Sequence, residues 1–145
     1  MGIELRLLRE EDIPAVYHIA LNSFEYPWSE LKFDETMRLP FIHPMVAIEG
    51  DTIAGYCYTS VMFDESEIYD IAVAPNYRKN GVGQLLMEEA ISFAKEKGAK
   101  MMFLEVASKN TAALELYKRN GFEITSVRKN YYKDGDDANN MALTF

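Results

Sequence analysis

The chain of 145 residues holds one cysteine, two histidines and one tryptophan, and each scarcity removes a class of protein. A lone Cys57 cannot close an internal disulfide, and His18 and His43 add too few ligands for a zinc site, so no metal is expected. Within the apolar run from Ile53 to Tyr58, Cys57 reads as a small buried strand residue rather than an acyl carrier, and the histidines read as surface or packing residues. No stretch approaches membrane-spanning length and the first residues are charged from Glu4 onward, so neither a membrane segment nor a secretory leader is expected, and the expected location is cytoplasmic. A formal net charge of -8 argues against nonspecific nucleic-acid binding, which depends on basic surface. Repeats, low-complexity tracts and linkers are missing too, so residues 1–145 are read as one domain whose 48% hydrophobic content suffices for a core.

What is present concentrates between Glu67 and Gln84, EIYDIAVAPNYRKNGVGQ, where an apolar strand ends at Pro75 and a basic, glycine-punctuated turn opens a helix. Backbone N–H groups at a helix start lack intrahelical partners, and the helix dipole adds positive potential there. Arg78 and Lys79 add formal charge, and Gly81 and Gly83 leave room for close approach, so the expected guest is a phosphate. A P-loop is excluded, because Gly83 is followed by Gln84 and Leu85 rather than Lys and Ser or Thr. A dinucleotide turn would need a small residue where Leu86 stands, although Glu105 at the end of the next strand matches a ribose-binding acid and keeps that reading open.

The coarse order is strand, helix, helix, three strands, helix, strand, helix, two strands. Glu4 to Leu8 and Met45 to Glu49 read as strands, and Gly50-Asp51 as a hairpin turn into Thr52 to Met62. Glu67 to Val73 follows as a third antiparallel strand. Leu85, Leu86, Ala90, Phe93 and Ala94 recur with helical spacing up to Gly98, and Met101 to Leu104 is apolar throughout, as in a strand covered on both faces. Antiparallel strands ahead of a single β-α-β crossover do not suit a dinucleotide-binding domain.

Arg78, Gly81 and Gly83 also fill the acetyl-CoA turn Arg/Gln-x-x-Gly-x-Gly/Ala, and Asn110 to Phe122 fits N-x-x-A-x-x-L-Y-x-x-x-G-F. On these two ordered motifs the chain resembles the GNAT acetyltransferase superfamily. Pro27-Trp28-Ser29-Glu30 with Phe33, and Asn130-Tyr131-Tyr132 followed by Asp134 to Ala138, are similar to the RimI/Ard1 branch of protein N-terminal acetyltransferases. The resemblance implies an α/β (α+β) GNAT fold, a mixed, mostly antiparallel central sheet with about four helices. It also implies acetyl-CoA as cosubstrate and a protein or peptide N-terminus as acceptor. Ile71, Ala72 and Val73 would contact the pantetheine arm; Arg78, Lys79, Asn80, Gly81, Val82, Gly83 and Gln84 would hold the pyrophosphate; Asn110 would touch the cofactor while capping its helix.

Acetyl transfer needs a neutral amine and an acid for the departing thiolate. An α-amine of pKa ~8 is about one tenth neutral at pH 7, whereas a lysine near ~10.4 costs roughly 3 kcal/mol more to deprotonate. The resemblance assigns Glu105 as base through water and Tyr117 as donor to the CoA sulfur. After four apolar residues, Glu105 is expected to be partly desolvated. Phe24, Tyr26, Trp28, Tyr131 and Tyr132 are expected to wall the acceptor groove, with core packing as each one's alternative. Asp70 stands where RimI-like chains often carry Asn. Lysine or small-amine acetylation, and a noncatalytic acyl-CoA-binding module, remain alternatives; a monomer, a homodimer and an auxiliary subunit are all open.

Overall fold

The computed structural model describes residues 2–145. Seven strands form one sheet in the order β1-β2-β3-β4-β5-β7-β6. They are β1 (Glu4–Leu7), β2 (Ile42–Glu49), β3 (Thr52–Met62), β4 (Glu65–Val73), β5 (Met101–Ala107), β6 (Glu123–Arg128) and β7 (Ala138–Thr144). Neighbours run antiparallel except β4 and β5, which are joined by the crossover helix α3 (Val82–Glu96) and run parallel. Helices α1 (Ile13–Leu21), α2 (Glu30–Met37) and α4 (Thr111–Arg119) complete the fold. This is the mixed, mostly antiparallel sheet with four helices expected from the sequence.

Side-chain alternation along β3 divides the core. Cys57 joins one apolar cluster with Leu86, Met87 and Ala90 of α3 and Met102 of β5, while Tyr56 and Tyr58 point to the other, with Val16 and Ile19 of α1 and Phe33 of α2. Cys57 is buried. Burial pushes its thiol up to about 12, which keeps it protonated and unreactive. His18 is exposed, and His43 stacks on Phe93 with ring centroids 3.7 Å apart.

Three local expectations need correction. Leu85 is 38% exposed, and the inward stripe of α3 runs through Val82, Leu86, Met87, Ala90 and Ala94 instead. Phe103 is only half-buried, so β5 is not fully covered on both faces. Strand β2 also starts three residues earlier than the apolar run suggested: Pro44 falls just beyond the last β1–β2 pair, Leu7 with Met45, at the ladder end where proline is tolerated.

Candidate active site

The parallel pair β4–β5 holds together only at its start. Glu65, Ser66 and Glu67 pair with Met101, Met102 and Phe103, and beyond them the strands part while β5 stays paired with β7 as far as Ala107. From Ile68 to Val73, β4 therefore offers one backbone edge to the gap, its other edge being held by β3. An extended amide-bearing chain can add to such an edge as a further strand. Ile71 lines the gap, Ala72 is buried on the α1 side and Val73 is half-buried beside α3.

The turn from Arg78 to Gln84 lies where β4 gives way to α3. Gly81 takes the position before the helix at φ +81 with nothing within 4 Å of where a Cβ would stand, so its backbone is open to a ligand. Gly83 is different: a Cβ there would meet Leu116 at 3.3 Å and Val73 at 3.7 Å, so its smallness lets α3 close on α4 and β4 rather than admitting a ligand. Lys79 also has a left-handed backbone, at φ +65, and Asn80 donates to the Arg78 carbonyl. Val82 faces the core.

Arg78 departs from its expected role as a cation for phosphate. Its Nε donates to the Val73 carbonyl at 3.1 Å, and its Nη2 donates to the Asn22 carbonyl and to Ser23 Oγ, both at 3.2 Å. The side chain braces the turn against the end of α1. Gln84 and Asn120 exchange amide hydrogen bonds of 3.0 and 2.9 Å, fixing the start of α3 to the end of α4. Lys109, just before α4, pairs with Asp134 at 3.3 Å. The turn thus offers mainly backbone N–H and helix dipole, with less free cationic charge than the sequence suggested.

Where the strands part, Glu105, Tyr117, Tyr132, Phe24, Tyr26 and Asn110 line one pocket. Asn110 combines the two expected positions: it faces the pocket, and its Oδ1 accepts from the Ala113 amide as the cap of α4. Phe24 likewise lines the pocket and packs against the α1–α2 core. Glu105 is exposed rather than desolvated, because its strand position looks into the open gap, and the Tyr132 hydroxyl approaches its Oε1 at 3.4 Å. Tyr132 itself is pushed up to about 12 by burial and by Glu105. Tyr117 is 6% exposed, and burial, with the charge of Asp70, holds its phenol above the ordinary value. It therefore stays protonated at neutral pH and is a weaker acid than an ordinary phenol.

Trp28 and Tyr131 do not reach this pocket. Trp28 packs on Phe33 and Tyr58, with ring centroids 5.1 and 5.6 Å away, because Ser29 caps α2 by accepting from the Lys32 amide and turns the segment inward. Tyr131 is 50% exposed, with the Arg128 guanidinium over its ring. The same pocket contains groups the sequence did not assign: Asp70, Glu25, Asp134 and Asp136. Glu67, beside it on β4, is raised by burial and by the charge of Glu105. A lone Asp in IYDIAV was the available signal for Asp70; its partner Tyr56, on the neighbouring strand, had none. Among the described residues no group of three His, Cys, Asp or Glu is arranged to hold a metal ion.

A sheet parted at its parallel pair, a glycine turn opening the crossover helix and a phenol deep in the gap together define an acetyl-CoA-type N-acyltransferase scaffold. The chain belongs to the Acetyltransferase (GNAT) family, whose model matches residues 13–122, and it is an acetyltransferase. It is similar to the ribosomal protein bS18-alanine N-acetyltransferase of Escherichia coli (strain K12), with 35% identity over 94% of this chain and 93% of that one. The crystal structure of the ribosomal-protein-S18-alanine N-acetyltransferase from Escherichia coli superposes with a TM-score of 0.91 at 34% identity, covering 99% of this chain and 94% of that one. Ard1 from Thermoplasma volcanium gives a TM-score of 0.92 at 28% identity, covering 99% and 98%.

Proposed function

We propose that this enzyme moves the acetyl group of acetyl-CoA to the α-amine of a protein N-terminus, with the terminal alanine of ribosomal protein bS18 as its acceptor and the cytoplasm as its location. The observation that carries the reading is the parting of β4 from β5, with a backbone edge, Glu105 and Tyr117 all opening on one gap. Likeness along nearly the whole chain to enzymes named for that alanine supports the choice of acceptor.

In this reading the amides from Arg78 to Gln84 hold the pyrophosphate and the β4 edge at Ile71 to Val73 aligns the pantetheine arm. Tyr117 protonates the departing sulfur. Glu105, open to solvent, takes a proton from the reacting nitrogen through water. Phe24, Tyr26 and Tyr132 wall the acceptor's path. Glu25, Asp134 and Asp136 give that path a negative lining, which suits a cationic amine arriving at a protein of net charge -8. Lysine is the weaker acceptor because its amine costs roughly 3 kcal/mol more to deprotonate.

A peptide panel with free or blocked N-termini tests this. Peptides beginning with alanine should turn over, and blocked peptides containing lysine should scarcely react. Mass spectrometry that located most of the acetyl on lysine would overturn the choice of acceptor.

A further inference from the structure

Asp70 is the one charged residue in Ile68-Tyr69-Asp70-Ile71-Ala72-Val73, and neither the apolar pattern nor the two signatures asks for a carboxylate there. The β3–β4 ladder shifts between Tyr58, which faces Asp70, and Thr59, which faces Ile68, so Tyr69 is an extra residue on β4. This bulge brings Ile68 and Ile71, three positions apart, to the same core and re-aims the residues between them. Asp70 consequently lines the pocket with Glu105 and Tyr117. The Tyr56 hydroxyl donates to its Oδ2 at 3.0 Å.

The groups around this carboxylate hold little positive charge. Strand β3 contributes Tyr56, Cys57 and Tyr58, and α4 contributes Tyr117. Lys32 of α2 acts on it through charge alone, without a hydrogen bond. Glu25, Glu105, Asp134 and Asp136 share the pocket. An ammonium is the guest such a lining accepts best.

An ammonium that becomes an amide sheds two protons, one before it attacks and one from the tetrahedral adduct, while the leaving sulfur takes one back. Glu105 and Tyr117 account for one proton each, which leaves the first without a receiver. We propose that Asp70 is the inner carboxylate that holds the acceptor's ammonium and takes its first proton; this rests on the N-terminal acetylation reading above. An N–H bond breaks and an O–H bond forms on Asp70. The freed nitrogen lone pair then forms the C–N bond at the thioester carbonyl carbon. The adduct's surplus proton leaves through water to Glu105, and as the C–S bond breaks its electron pair stays on sulfur, which takes the Tyr117 proton. One proton is released to solvent in net.

Burial raises the Asp70 carboxyl to about 7, against the lowering hydrogen bonds from Tyr56 and the Ile71 amide. That value lies close to the ~8 of an α-amine, so the transfer is nearly balanced. Asp70 works only when ionised. Its contribution is therefore present above its pKa and fades as pH falls through it.

Asp70→Asn keeps the shape and an oxygen for Tyr56 to donate to. For a free alanine-terminal peptide, kcat/KM of the variant should fall by about 10²-fold near pH 8, with the deficit shrinking to about tenfold near pH 6 and acetyl-CoA affinity unchanged. Tyr56→Phe removes a bond that favours the carboxylate, so its acid limb should move to higher pH. A deficit that stays constant across pH, or a limb that Tyr56→Phe leaves in place, would make Asp70 a structural partner of Tyr56 only. Wild-type protein that turned over no free N-terminal peptide would defeat the acceptor reading instead. In that case the 13C carboxyl titration of Asp70 with and without alanine amide still decides: a lower midpoint with the amine supports the ammonium site, and an unmoved one overturns it.

Discussion

The two sides of the gap are built differently. The side of the turn, proposed to hold the cofactor, is fixed by backbone: left-handed residues at Lys79 and Gly81, a guanidinium bonded to three oxygens of the chain itself, and the Gln84–Asn120 amide pair. The other side, proposed to receive the acceptor, is made of side chains on two loops and a strand end, several of them exposed, including Tyr26 and Glu105. Its fastenings are hydrogen bonds and surface ion pairs such as Lys109 with Asp134 and Lys129 with Asp137. A backbone-built site tolerates few residue types and is pre-formed, whereas a side-chain-built site can change its guest by changing a few residues.

The sharpest test of this division is Tyr117→Phe, which keeps the ring and its packing on Phe122 but removes the proton donor. Turnover should drop by about 10²- to 10⁴-fold while calorimetry finds acetyl-CoA affinity close to wild type. Glu105→Gln should cost about 10- to 10²-fold, and the loss should shrink at higher pH, where hydroxide can take the adduct's surplus proton in its place; stopped-flow rates across pH report it. Near-normal rates in both variants, with chemistry limiting, would move the proton work to other groups.

Gly81→Val puts a branched side chain at a left-handed position and should lower stability by about 1–2 kcal/mol. Acetyl-CoA affinity should weaken by about tenfold or more, with peptide KM little changed once acetyl-CoA is saturating. Unchanged affinity in a folded variant would show that the cradle lies elsewhere. The smallest effect is expected from Lys109→Ala on the acceptor side: the exposed pair with Asp134 should be worth about twofold or less in peptide KM, with no measurable change in acetyl-CoA affinity.

The same contrast explains what the sequence made legible. Strand and helix order followed from alternation and from Gly50, Gly81 and Gly98, because backbone conformation restricts residue type locally. The turn was recognisable for that reason. Gly83 was read as ligand space because a missing side chain looks alike in sequence whether a ligand or Leu116 fills the room. Arg78 was read as a phosphate cation because its partners Asn22 and Ser23 lie 56 and 55 positions away. Trp28 was assigned to the groove although Ser29 turns it into the core, and Asp70 looked like a mere departure because its hydrogen bond to Tyr56 depends on how two strands align. What sequence hides in this protein is long-range side-chain pairing.

The Arg78 brace has a further consequence. One guanidinium touches the strand end that leads into the cofactor turn and, through Asn22 and Ser23, the segment that continues to Phe24 and Tyr26. In the proposed reading, an adjustment of the turn on filling would pass to the acceptor's wall, and thermodynamic linkage would make the effect reciprocal: whatever factor the first substrate applies to the second's affinity, the second returns to the first. A catalyst of this shape can favour an order of arrival without any moving domain, using a single side chain as the coupling rod.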